Sequence, residues 1–200
     1  PPPPCPIEAS PWLDDVEAIP ATTSLGPVNC WTTSAATGYD WNVSGGNTPS
    51  FGTGAESANS GTNFFYTEAS GAGVGVTAEL VTPEIDLTGM TLPMFSFYYH
   101  MFGGQMGDLD AEISDDGGAT WTNLTTISGA QQATQLDPFM LSESVLVGYS
   151  GTVQFRFIAT ANGGFEGDIC IDDIAISEAP TCPNPTNLTL TASDLTSATF

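Results

Sequence analysis

Two adjacent acids inside an otherwise apolar strand make the heaviest chemical demand in this chain. They lie in Ile169-Cys170-Ile171-Asp172-Asp173-Ile174-Ala175-Ile176-Ser177. Ile169 and Ile171 share one parity, whereas Ile174 and Ile176 share the other. Strand side chains alternate with period two, so the apolar face changes side at the aspartates. That predicts a bulge there, or a strand buried on both faces with two acids at its middle. A buried carboxylate is costly without a partner. Salt bridges cannot supply partners in general, because the chain holds one Lys or Arg against 23 Asp and Glu. Two chemistries remain open: main-chain N–H donors, or a hard cation such as Ca²⁺, which takes about six to eight oxygens.

Other chemically able residues are few. His100 is the single histidine and sits among aromatics in Pro93–Met101; it is expected to be a core or inter-sheet histidine satisfied by backbone. A Ser-His-Asp site would need that same residue, and no Gly-x-Ser-x-Gly elbow is present. Zinc-type spacing is absent. Carboxylate pairs of the kind that hydrolyse glycosides are not singled out in so acidic a chain, and no enzyme is expected. Arg156, in VQFRFIA, is expected to be an ion-pair partner for one of the many acids. A binding module would rely instead on exposed aromatics. Among Trp41, Phe51, Phe64, Tyr66, Tyr98, Phe102 and Phe165, most strand residues belong to the core. The loop residues Trp41, Phe51 and Phe165 are the candidates for a carbohydrate-stacking surface.

The elements that must carry these residues are strands. The chain has 200 residues with a formal net charge of −22, 40% hydrophobic and 12% charged residues. That apolar content is too high for an acidic disordered tail. One fixed positive charge cannot neutralise a row of phosphates, which excludes nucleic acid; anionic membranes and polyanions are disfavoured by the same repulsion. No run of 18 apolar residues is present to span a bilayer as a helix, and PPPPC does not have the form of a signal peptide. Short apolar or alternating runs between Gly-, Pro-, Ser- and Thr-rich turns predict an all-β sandwich. Strands are predicted at about 12–18, 63–68, 76–82, 93–101, 109–114, 119–126, 152–160 and 169–177. Asp115-Asp116-Gly117-Gly118 makes 109–126 the clearest hairpin. Composition divides the chain into a proline-rich leader (1–10), a main domain (11–179) and a tail (181–200) with two further strands.

From Trp41 to Ser177 the chain resembles the MAM domain, in the form found as a module of secreted bacterial multidomain proteins. The matching pieces run in order: Asp40-Trp41, GTNFFYTEAS (61–70), AELVTPEIDLTG (78–89), PMFSFYYHMFGGQMGDL (93–109) and GDICIDDIAIS (167–177). The resemblance implies a jelly-roll β-sandwich with an extracellular adhesive or recognition role, no catalysis, and a glycan or a surface protein as partner. Similar sandwiches place a structural calcium where the first and last strands pair. By this resemblance Glu17 and Glu56 would join Asp172 and Asp173 around it. Here Val16 replaces the family's Phe before that glutamate, and Glu56-Ser57-Ala58 replaces Asp-His-Thr.

The tail, with CPNPTNLTLTA and TSATF, is similar to the first two strands of a fibronectin type III domain. Two isolated strands are marginal in water. They are expected to pair within a longer chain or with a neighbouring copy. In the second case Asn187, Leu188 and Leu190 would add a strand to that copy and build filaments. Four cysteines, Cys5, Cys30, Cys170 and Cys182, read as structural disulfides of an extracellular protein. The strand pairing of related sandwiches favours Cys5–Cys182 with Cys30–Cys170; Cys5–Cys30 with Cys170–Cys182 stays open.

Overall fold

The computed structural model describes residues 5–22, 28–35 and 38–180. Within them every regular element is a strand. The first sheet is organised about β12 (Thr152–Thr160), antiparallel to β9 (Asp108–Ser114) on one side and to β6 (Thr77–Val81) and β7 (Ile85–Asp86) on the other. β10 (Thr122–Ser128) flanks β9, and β3 (Thr32–Ala35) flanks β6. β1 (Glu8–Ala9) runs parallel to β7, so the proline-rich leader ends as part of a sheet. The second sheet is organised about β13 (Ile169–Glu178). It lies between β8 (Pro93–Met101) and the short strands β5 (Phe64–Thr67) and β2 (Trp12–Asp14). β11 (Met140–Val145) edges β8, and β4 (Trp41–Ser44) edges β5.

Alternation explains why these segments form facing sheets. Along β12, Val153, Phe155, Phe157 and Ala159 are buried while the intervening residues are partly exposed. Along β8, Phe95, Phe97, Tyr99 and Met101 point the same way. The two sets meet face to face. The Phe95 and Phe155 rings stack at 4.0 Å, and Phe97 meets Phe157 edge-on at 4.9 Å. Fully burying each such ring stabilises the fold by about 1.5–3 kcal/mol.

The expected break in β13 is present. Pairing with β8 shifts register between Asp172 and Ala175, and Asp173 takes a φ of 45°. Ile169, Ile171, Ile174 and Ile176 consequently all enter the same core. The hairpin between β9 and β10 also forms, with Gly117 and Gly118 at φ of 73° and 83°. The first strand does pair antiparallel with the last, Leu13 opposite Ala175.

The favoured pairing of Cys5 with Cys182 and Cys30 with Cys170 does not form, and the Cys5–Cys30 bond of the alternative does. Cys5 bonds Cys30, and Cys170 is a buried free thiol. The reason is directional. The chain before β2 crosses to the first sheet as β1, carrying Cys5 away from the β2–β13 pair. Cys170 faces out of the sandwich, opposite to the isoleucines beside it, into a separate apolar cluster. Cys182, the tail at 181–200 and its Asn187, Leu188 and Leu190 lie outside the described residues.

Candidate functional site

Three acids at the β2–β13 junction are satisfied by one stretch of loop, residues 59–63. Asp172 is fully buried, and its Oδ2 accepts the main-chain N–H groups of Asn59 (2.9 Å) and Ser60 (3.3 Å). Its Oδ1 accepts the N–H of Asp173 at 2.8 Å. The bulge turns Asp173 outward, where Asn59 Nδ2 and Ser60 Oγ each donate to it at 2.7 Å. Glu17 Oε1 accepts the N–H groups of Thr62 (2.7 Å) and Asn63 (2.6 Å). Those two amides, Asn63 foremost, hold the Glu17 carboxyl below its ordinary range. Burial, with the Asp173 charge adding to it, pushes Asp172 up to about 7.

The four acids expected to share a calcium are therefore not brought together as one shell. Among the described residues no three His, Cys, Asp or Glu side chains form a group able to hold a metal. Glu56 is exposed and tied through its N–H to Gln135 O at 3.1 Å. Donors already occupy the inward oxygens of Asp172 and Glu17, so this arrangement does not fit a shell of about six to eight oxygens. Main-chain amides serve Asp172 and Glu17, and side-chain donors serve Asp173.

A second cluster lies on the outer face of the second sheet, under the loops at 46–62 and 130–139. Phe64, Tyr66, Phe139, Ala55 and Cys170 form it. His100 stands opposite Cys170 in the β8–β13 register and is fully buried, its ring facing the main chain at Thr134 and Asp137 without reaching full hydrogen-bond geometry. It is buried as expected, but beneath loops on the outer face and not between the sheets. Burial lowers it to about 4, so it is neutral near pH 7. Asp168, also fully buried, accepts the Ala69 N–H at Oδ1 (2.9 Å), while its Oδ2 has no partner in bonding geometry. The nearby Thr48 hydroxyl donates instead to Thr53 O at 2.9 Å. Burial pushes Asp168 up to about 7.

The surface aromatics divide. Trp41 is not a surface residue: it is fully buried and its Nε1 donates to Ala78 O at 3.1 Å across the sandwich. Strand β4 runs through this position, which the sequence reading took as loop. Phe51 is 91% exposed and Phe165 51% exposed. Loop contacts bring the two together at one end of the sandwich. Gly52 N donates to Gln135 Oε1 (3.2 Å), and Gln135 Nε2 donates to Thr53 O (2.8 Å). Gly103 and Gly104 pack against Glu166, which also lies beside Gly52. Through Gln135 this frame adds Leu136, 79% exposed, which sequence reasoning missed. A leucine in a polar loop gives no periodic signal; only the pairing of Gln135 with the 52–56 loop identifies it.

Beside Leu136 a cleft of about 150 Å³ opens between residues 57–59 and 135–139. Arg156 is remote from this end. It is on β12, bonded to Glu112 at 2.5 Å, 3.6 Å from Glu79 and stacked 4.6 Å over Trp121, as an ion-pair partner should be.

Comparison with known proteins agrees with this architecture. The domain of Lys-gingipain termed the K3 cleaved adhesin domain, from Porphyromonas gingivalis W83, superposes with a TM-score of 0.54 at 17% identity, covering 84% of this chain and 98% of that one. A solved module, TmCBM61, in complex with β-1,4-galactotriose superposes at 0.51 with 18% identity, covering 78% and 91%. At such identities the likeness is one of fold. Neuropilin-1a of Danio rerio is 31% identical over 155 residues, 75% of this chain, which spans only 16% of that relative's length. The model of the family described as MAM domain, meprin/A5/mu, matches residues 24–183. On that match, carried by the strands described above, the chain belongs to the MAM domain family.

Proposed function

We propose that this MAM domain is a non-catalytic recognition or adhesion module of an extracellular protein, meeting a glycan or a surface protein with the loop end that carries Phe51, Leu136 and Phe165. The observation that carries this reading is the convergence of three loops, each of which leaves a large apolar side chain exposed. A folded domain gains nothing in stability from such exposure, and clustered apolar exposure marks interaction sites. The Cys5–Cys30 disulfide suits an oxidising, extracellular setting. That a solved module of this fold is in complex with β-1,4-galactotriose supports a glycan as one of the two partner classes.

The test is a triple variant, F51A/L136A/F165A, assayed against immobilised neutral oligosaccharides and extracellular protein surfaces. Binding should fall at least tenfold, with the unfolding midpoint unchanged within about 0.5 kcal/mol, as for exposed positions. Undiminished binding by the triple variant overturns the assignment of this surface.

A further inference from the structure

The cleft beside Leu136 narrows the chemistry of the partner. Leu136, Pro138 and Phe139 line it with apolar groups, Asn59 and Gln135 with polar ones, and Asp137 is part of the same lining. That carboxylate is fixed and charged: Oδ2 accepts the N–H groups of Ala133 and Thr134, both at 2.8 Å. The same amides, Thr134 foremost, hold the group below its ordinary range. At about 150 Å³ the cleft has the room of roughly five waters at about 30 Å³ each, enough for one long side chain. A lining of mixed apolar and polar groups beside a charged acceptor matches an amphipathic cation, which lays its methylene stem on the apolar part and presents its charge and N–H donors at the tip.

The wider surface points the same way. Glu56 and Glu166 carry further acids at this end, and the single arginine is engaged on the other sheet. The net charge of −22 repels any acidic partner before contact. Phe51 and Phe165 offer ring faces to which a guanidinium or ammonium is also attracted.

We propose that the loop end binds a basic segment of a partner protein, seating one lysine or arginine side chain in the cleft against Asp137 and laying an apolar neighbour on Phe51, Leu136 and Phe165. This rests on the reading of that end as the recognition surface and adds the class of partner.

Three probes separate the possibilities on the isotopically labelled protein by amide chemical-shift mapping. They are acetyl-Lys-Phe-amide, acetyl-norleucyl-Phe-amide, which keeps the stem without the charge, and β-1,4-galactotriose. The lysine probe is expected to shift amides within 51–59, 133–139 and 165–166, and to bind at least fivefold more tightly than the norleucine probe. D137N should weaken the lysine probe at least threefold and leave the norleucine probe unchanged. A58W, which fills the cleft without touching the acid, should weaken both. Equal affinity of the two peptide probes overturns the proposal, as does scatter of shifts over the whole acidic surface. If only galactotriose shifts these loops, the recognition surface stands and the basic partner falls. If no probe perturbs them up to about 10 mM, a range that reaches millimolar affinities, the basic partner and the surface both fall.

Discussion

Asp168 and His100 show what a single buried group costs in this protein. Both are fully buried, and each leaves polar atoms unbonded. Burial moves them in opposite senses, Asp168 up to about 7 and His100 down to about 4. A carboxyl raised in the folded state binds more protons there than in the unfolded chain between about pH 4 and 7, so its contribution to stability falls as pH rises through that window. His100 does the reverse: the unfolded chain protonates first, and stability falls as pH drops from about 6.5 to 4. The two effects oppose one another in the wild type, so the informative quantity is a difference. In D168N the falling limb is removed. The unfolding free energy of D168N minus that of wild type should therefore rise steadily from pH 4 to pH 7, measured by urea unfolding at each pH. A difference that stays flat over that range would show that Asp168 is not held neutral by its surroundings. From sequence, Asp168 was not distinguishable from its 22 fellow acids, because its burial is made by the loop at 48–55, not by its own strand.

At the scale of elements, close approach decides more than propensity. Gly107 precedes β9 where that strand meets the end of β12, and a Cβ there would lie 1.8 Å from the Thr160 carbonyl oxygen. The neighbouring atom is backbone and cannot rotate away. G107A should therefore cost about 3 kcal/mol or more, within the upper range for overpacking against fixed structure. G46A, with open space around its Cβ, should change the urea midpoint little. A G107A midpoint equal to that of G46A would overturn the close packing of β9 on β12. Long alternating strands were legible: β8 and β12 run where the alternation of Phe95, Phe97, Phe155 and Phe157 places them. The short strands β3, β4 and β11 were not. Trp41-Asn42-Val43 is buried at every position and carries no alternation to read, and β11 is an exposed edge whose apolar residues alternate with nothing buried.

For the whole molecule, charge is the term set against packing. Acids outnumber bases 23 to one, so repulsion among exposed carboxylates opposes the compact state. Asp172, Asp173 and Glu17 escape part of it through donors on residues 59–63. The rest depends on the medium. Between about 10 mM and 0.5 M NaCl the screening length shrinks from about 30 Å to a few ångströms. Stability should rise by about 1–2 kcal/mol, or roughly 2–8 °C in Tm for a chain of this size. Calorimetry at matched pH measures it, and a Tm that does not move with salt means that repulsion among the acids does not oppose the fold.

Residue types and their order determined the sandwich, the bulge at Asp172-Asp173, the hairpin at Asp116 and the repulsion of polyanions, since each follows from period-two alternation, turn chemistry or net charge, all local or additive properties. The tertiary structure alone decided which groups share a neighbourhood. It joined Cys5 to Cys30, buried Trp41, turned Cys170 and His100 outward beneath loops, and gathered Phe51, Leu136 and Phe165 at one end beside Asp137. Such neighbourhoods are made by contacts between loops far apart in sequence, such as Gly52 with Gln135, and neither pattern nor composition encodes which loops will meet.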